Sequence, residues 1–92
     1  MNITLSQQAK PSDDVLFQEV GGEAVLLNLA SESYFGLDPV GTRIWVLLNE
    51  DTRLQHVYET MLGEYEVAPA QLEQDLLDLV AKLAEAGLLQ VA

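Results

Sequence analysis

The stretch Ser33-Tyr34-Phe35-Gly36-Leu37-Asp38-Pro39-Val40-Gly41-Thr42-Arg43-Ile44-Trp45-Val46-Leu47-Leu48 decides the fold, because the local structural period changes inside it. Up to Leu37 the aromatic content suits an extended strand. From Val40 onward, Val40, Ile44, Leu47 and Leu48 recur at spacings of four, three and one, which places them on one helical stripe with Trp45 beside it. Asp38 and Pro39 mark the switch: an aspartate can accept the orphan amides of a helix start, and proline is favoured at the first helical position. The stretch therefore predicts a strand that feeds directly into a core-facing helix.

Two further apolar runs precede it, Val15–Val20 and 23–30, separated by Gly21-Gly22, a pair that tolerates positive φ in a tight hairpin. A second turn at Ser31-Glu32 brings the strand 33–38 back beside the second run, giving a small antiparallel meander. Residues 1–14 lack sustained periodicity and are expected to form a flexible N-terminal arm, leaving 15–92 as the folded domain. On the other side, Asn49-Glu50-Asp51 interrupts the first helix and Thr52 is positioned to cap a second. That helix carries Leu54, Val57, Tyr58, Met61, Leu62 and Tyr65 and ends before Val67. Ala68-Pro69 opens a third helix with the apolar stripe Leu72, Leu76, Leu79, Val80 and Leu83, and Gly87 is a natural C-terminal stop. Leu88, Leu89 and Val91 are expected to fold back onto the core. The predicted class is α+β, a winged-helix-like arrangement of a three-stranded antiparallel sheet followed by a three-helix bundle.

Composition narrows the function. With 92 residues the chain suits one domain and one core. Fifteen acidic against four basic residues give a formal net charge of -11, a surface that repels phosphate. Lys10, Arg43, Arg53 and Lys82 are too few and too scattered for the basic stripe that nucleic-acid binding requires, so no nucleic-acid partner is expected. No apolar run approaches the ~20 residues of a membrane span, and residues 1–14 carry no secretory pattern, so a cytoplasmic location without membrane attachment is the expectation.

Catalytic machinery is missing from the sequence. Cysteine is absent and His56 is the only histidine, so neither a zinc site nor a nucleophile pair can be assembled from these residues. The carboxylates lie on presumed exposed helical faces or, like Glu64 and Glu66, flank a tyrosine. Gly21-Gly22 is too short for a phosphate loop. A non-enzyme without metal or cofactor is expected.

The quoted stretch resembles the signature region of PqqD-like proteins, in which an aromatic third strand leads through Leu-Asn or Leu-Asp into a helix with a small residue, then Ile-Trp and paired leucines. Glu64-Tyr65-Glu66-Val67 resembles the Tyr-Asp-Val that closes the second helix of that family, and Ala86-Gly87-Leu88-Leu89 resembles its Gly-Leu-Leu ending. The likeness spans about residues 15 to 91. The PQQ members themselves tend to lack the aromatic strand and the Ile-Trp pair, so this chain looks closer to the lasso-peptide branch.

The resemblance implies a recognition element for the leader segment of a ribosomally synthesised precursor peptide, serving lasso-peptide-like or PQQ-like biosynthesis. Similar domains bind the leader as an added strand on the third strand, in a groove beside the third helix. The implied partners are the leader peptide and a separate enzyme such as a radical-SAM protein, a leader peptidase or a cyclase.

On this sequence the implied site comprises Ser33, Tyr34, Phe35, Gly36 and Leu37 on the strand and Gln71, Leu72, Asp75, Leu76, Leu79, Val80 and Leu83 on the third helix. An open edge strand offers main-chain hydrogen bonds worth about 0.5 to 1.5 kcal/mol each. Leu72, Leu76 and Leu79 are the candidate groove floor and Gln71 and Asp75 its rim, while Gly36 would permit close approach of the peptide backbone. The same leucines are equally a packing stripe, Gly36 a possible bulge and Asp75 a solvated side chain. Tyr34 and Phe35 point to opposite faces, one into the core and one free for a ligand, and the alternation leaves open which. The competing functions are a winged-helix DNA-binding regulator, disfavoured by the charge, and a structural subunit or homodimer paired through the same edge. A monomer keeps that edge open and is favoured.

Overall fold

In the computed structural model, which describes residues 3–92, the hairpin β2 (Val15–Val20) and β3 (Glu23–Asn28) follows a short first strand, β1 (Ala9–Pro11). Then come β4 (Ser33–Leu37), three helices, α1 (Pro39–Glu50), α2 (Leu54–Glu64) and α3 (Pro69–Glu85), and a last strand, β5 (Leu89–Val91). The expected α+β fold is present: β2, β3 and β4 form one antiparallel sheet in that order, and the three helices follow it.

The hairpin forms because Gly21 (φ 64°) and Gly22 (φ 85°) both occupy the left-handed region, as a two-residue turn matching strand twist demands. Val20 then pairs with Glu23, and the register runs without interruption to Val15 and Asn28. The return into β4 is built by Asn28, whose side-chain oxygen accepts from the amides of Ala30 (3.0 Å) and Ser31 (3.3 Å). Ala24, Leu26 and Asn28 face inward while Val25 and Leu27 face out.

Asp38 caps α1 as expected, accepting from the Gly41 amide at 2.7 Å, with Pro39 in the first turn. A Cβ at Gly41 would stand 3.1 Å from the Asp38 carboxylate and 3.2 Å from the Leu37 side chain, tighter than ordinary contact, so any larger residue there makes the cap give by a few tenths of an ångström. Ile44, Trp45, Leu47 and Leu48 are buried against the sheet and the other helices. α3 ends as expected at Gly87 (φ 75°), where the Leu88 amide donates to the Leu83 carbonyl and the Gly87 amide to that of Ala84, the paired bonds of a Schellman stop.

Two expectations are corrected. Thr52 does not cap α2: the N-cap is Arg53, which makes no side-chain cap bond. The Thr52 hydroxyl donates to Gln8 and its carbonyl accepts from the Ala9 amide, so the residue is engaged by the N-terminal segment instead. That segment is the second correction. The arm expected over 1–14, whose first two residues lie outside the described ones, contains β1, which pairs antiparallel with β5 through Ala9 with Val91 and Pro11 with Leu89. Ala9 and Ile3 are buried, and the Leu54 amide donates to the Gln7 carbonyl. The segment folds because it satisfies both the backbone of β5 and the start of α2.

Candidate functional site

β4 lies at the margin of its sheet, and among the described residues no strand pairs with its far side. Its outward backbone groups therefore form the template that an extended peptide can extend. β2, at the opposite margin, is likewise unpaired on its far side.

Register settles the faces of β4. Phe35 lies opposite Leu26 and Leu37 opposite Ala24, all on the inner face, with Phe35 half-buried against the core and Leu37 buried. Tyr34 opposite Leu27 and Gly36 opposite Val25 face outward, and Tyr34 is 74% exposed. Phe35 is thus the core aromatic and Tyr34 the free one. Ser33 is exposed at the start of the strand. Gly36 is exposed, has no positive φ, and a Cβ built there meets nothing within 4 Å.

α3 packs chiefly on α2 and β5, whereas β4 packs on β3 and α1. Helix and sheet are joined at the C-terminal end of α3, where the Asn28 side-chain amide donates to the Ala86 carbonyl at 3.1 Å. Of the expected helix residues, Leu72, Leu76, Val80 and Leu83 are packed in the core. Leu79 is half-buried, and Gln71 and Asp75 are exposed and hydrogen-bonded to each other at 2.8 Å. Only these last three present surface, so the leucine stripe divides between packing and exposure.

One charged pair joins α1 to α2 and another lies in the link between them. Arg43 of α1 makes two hydrogen bonds, of 2.8 and 2.6 Å, to the Glu64 carboxylate at the end of α2. Those bonds hold the Glu64 carboxyl below the usual carboxylate range and raise the Arg43 guanidinium. Arg53 likewise lowers Asp51 through its side-chain and backbone bonds. His56 is exposed on α2. Among the described residues no group of three or more His, Cys, Asp or Glu is placed to hold a metal ion, and no helix is long and apolar enough to cross a membrane.

The sequence reading missed the outer face of the sheet. Leu16, Val20, Val25, Leu29 and Tyr34 are all exposed there or at its margin. The face holds a shallow depression of about 660 Å³ that crosses all three strands and is lined by Gln18, Val20, Glu23, Val25 and Gly36, with Ala24, Leu37 and Asp38 at one end. Period-two alternation was the available signal: Leu16, Val20, Val25 and Leu27 occupy the positions that a half-buried strand ordinarily gives to polar residues.

A three-stranded sheet with an open aromatic edge strand, feeding a three-helix bundle through an Asp-Pro cap, defines a class of small α+β domain with a free template for strand addition. The chain belongs to the PqqD family: the family model described as Coenzyme PQQ synthesis protein D (PqqD) matches residues 23–89, from the first residue of β3 to the first of β5. Two solved structures are similar. One, described as TbiB1 in complex with the TbiA(beta) leader peptide, is 42% identical, covers 88% of this chain and 94% of that one, and superposes with a TM-score of 0.83. The other, described as lasso peptide synthetase B1 complexed with the leader peptide, is 24% identical over 90% of this chain and 98% of that one, with a TM-score of 0.80, and shows the shared fold. No curated protein matches the chain.

Proposed function

We propose that this protein is a non-catalytic binding module that holds the leader segment of a ribosomally made precursor peptide and delivers it to a separate modifying or processing enzyme. The observation that carries this is the unpaired edge of β4 in a domain 42% identical to TbiB1, whose own structure contains a leader peptide. The leader adds as a strand along Ser33, Tyr34, Phe35, Gly36 and Leu37, with main-chain hydrogen bonds of about 0.5 to 1.5 kcal/mol each. Two or three such bonds give weak binding, so apolar anchors supply the rest, each worth about 1.5 to 3 kcal/mol when buried.

Leu79, with Gln71 and Asp75, is the part of the helical site that meets the peptide directly; Leu72, Leu76, Val80 and Leu83 shape it from beneath. Enzymes that suit such delivery are a leader peptidase, a cyclase or a radical-SAM protein, with the work done in the cytoplasm, where precursors are synthesised. A monomer keeps the edge free. The acidic surface disfavours DNA binding, and no observation recommends it.

The test is an N-methyl scan of the TbiA(β) leader peptide, read by fluorescence anisotropy against this protein. Strand addition engages only alternate peptide amides, so affinity is expected to fall at every second position of the paired segment and hold at those between. No binding, or loss at a helical spacing, overturns the reading.

A further inference from the structure

Gly36 is unexplained by the fold. Its φ is not positive, nothing stands within 4 Å of a Cβ there, and glycine inside a strand costs roughly 0.5–1 kcal/mol relative to alanine. What its missing side chain creates is an opening at the edge of the sheet's outer face. Val25 lies directly opposite and Tyr34 two residues away on the same face, and the depression runs inward from Gly36 past Val25 to Gln18 and Val20.

A peptide strand added along β4 sends alternate side chains to this face, and one of them stands beside Gly36. Directly opposite it β4 presents no side chain, only the glycine, so it can lie flat there and reach Val25 on the next strand, with Tyr34 diagonal to it. Large aromatic side chains cover strand glycines in this way.

Resting on the leader-binding reading above, we infer that Gly36 is a specificity-determining residue, leaving a hollow that accepts one large apolar side chain of the bound peptide at the position beside it. The apolar wall is provided by Val25, 44% exposed and so available for cover, with Val20 diagonal to it on β2 beside Gln18, which stands directly opposite Val25. A short side chain at that peptide position leaves the hollow unfilled and loses its burial.

The test uses the full chain and a displayed library of random 12-residue peptides, selected in parallel on the wild type and on Gly36→Val. The variant is expected to fold, because a Cβ at this position enters open space and valine suits a strand. Urea unfolding is expected to show equal or greater stability, and a tandem Gly36→Ala variant gives an intermediate size.

Peptides selected on the wild type are expected to share a large aromatic or aliphatic residue at one position of the segment that protects the β4 amides from exchange. Those selected on Gly36→Val are expected to carry a small residue there, and the wild-type consensus peptide to bind the variant about tenfold more weakly. An unchanged preference at that position, or a lysine or arginine preference on the wild type, overturns the inference and leaves leader binding intact. Recovery of no peptide that protects β4 overturns leader binding as well.

Discussion

Asn28 of β3 donates from its side-chain amide to the backbone carbonyl of Ala86, at 3.1 Å across 58 positions of sequence. The same side chain accepts from Ala30 and Ser31, so one buried residue fixes both the turn that aims β4 and the end of α3. Gly87 makes room for it, since a Cβ there would stand 3.0 Å from the Asn28 nitrogen. Asn28→Ala strands these backbone groups and is expected to cost about 1–3 kcal/mol, read by urea unfolding, with faster amide exchange in β4.

Asp38→Ala removes the side-chain acceptor of the Gly41 amide at the start of α1. The expected loss is about 0.5–2 kcal/mol in thermal or chemical unfolding, and Asp38→Asn, which keeps an acceptor, is expected to recover most of it.

Leu76 and Leu79 share a helix and differ in role. Leu76→Ala opens a cavity in the core and is expected to cost about 2–5 kcal/mol. Leu79, half-buried, is expected to cost less stability as alanine and to weaken leader binding several-fold, read by titration calorimetry. The reverse pattern would remove Leu79 from the site.

The Arg43–Glu64 pair makes stability depend on pH. Glu64 is held below its ordinary value of 4.5 by the bonds from Arg43, so its contribution is fully present above that value and disappears as pH falls through the lowered one. Glu64→Gln is expected to melt below the wild type at pH 7, with the gap closing in acid. Both partners are substantially exposed, so the gap is small and shrinks with salt.

Gly21-Gly22, Asp38-Pro39 and Gly87 were legible in the sequence because each answers a local backbone demand that neighbouring residues cannot alter. β1 was not legible: its three residues carry no period of their own, and what orders them is a partner some eighty positions away. Thr52 reads as a cap until that segment claims its hydroxyl. At the site, alternation separated Tyr34 from Phe35, but the choice of face belonged to Leu26 and Ala24 on the neighbouring strand. The stripe of α3 was wide enough to contain both the buried Leu76 and the half-exposed Leu79, a distinction made by packing against other elements rather than by spacing. The hollow beside Gly36 depends on three strands at once, so no single stretch of sequence announces it.

The central claim is that an extended peptide pairs with β4, and it is tested most directly by following backbone amides in an NMR titration with the TbiA(β) leader peptide. Saturable shifts concentrated in Ser33–Leu37 of β4 and in residues 71–79 of α3, with slowed exchange of alternate β4 amides, are the predicted result. Shifts centred on Val15–Val20 of β2, or none at millimolar peptide, would contradict it.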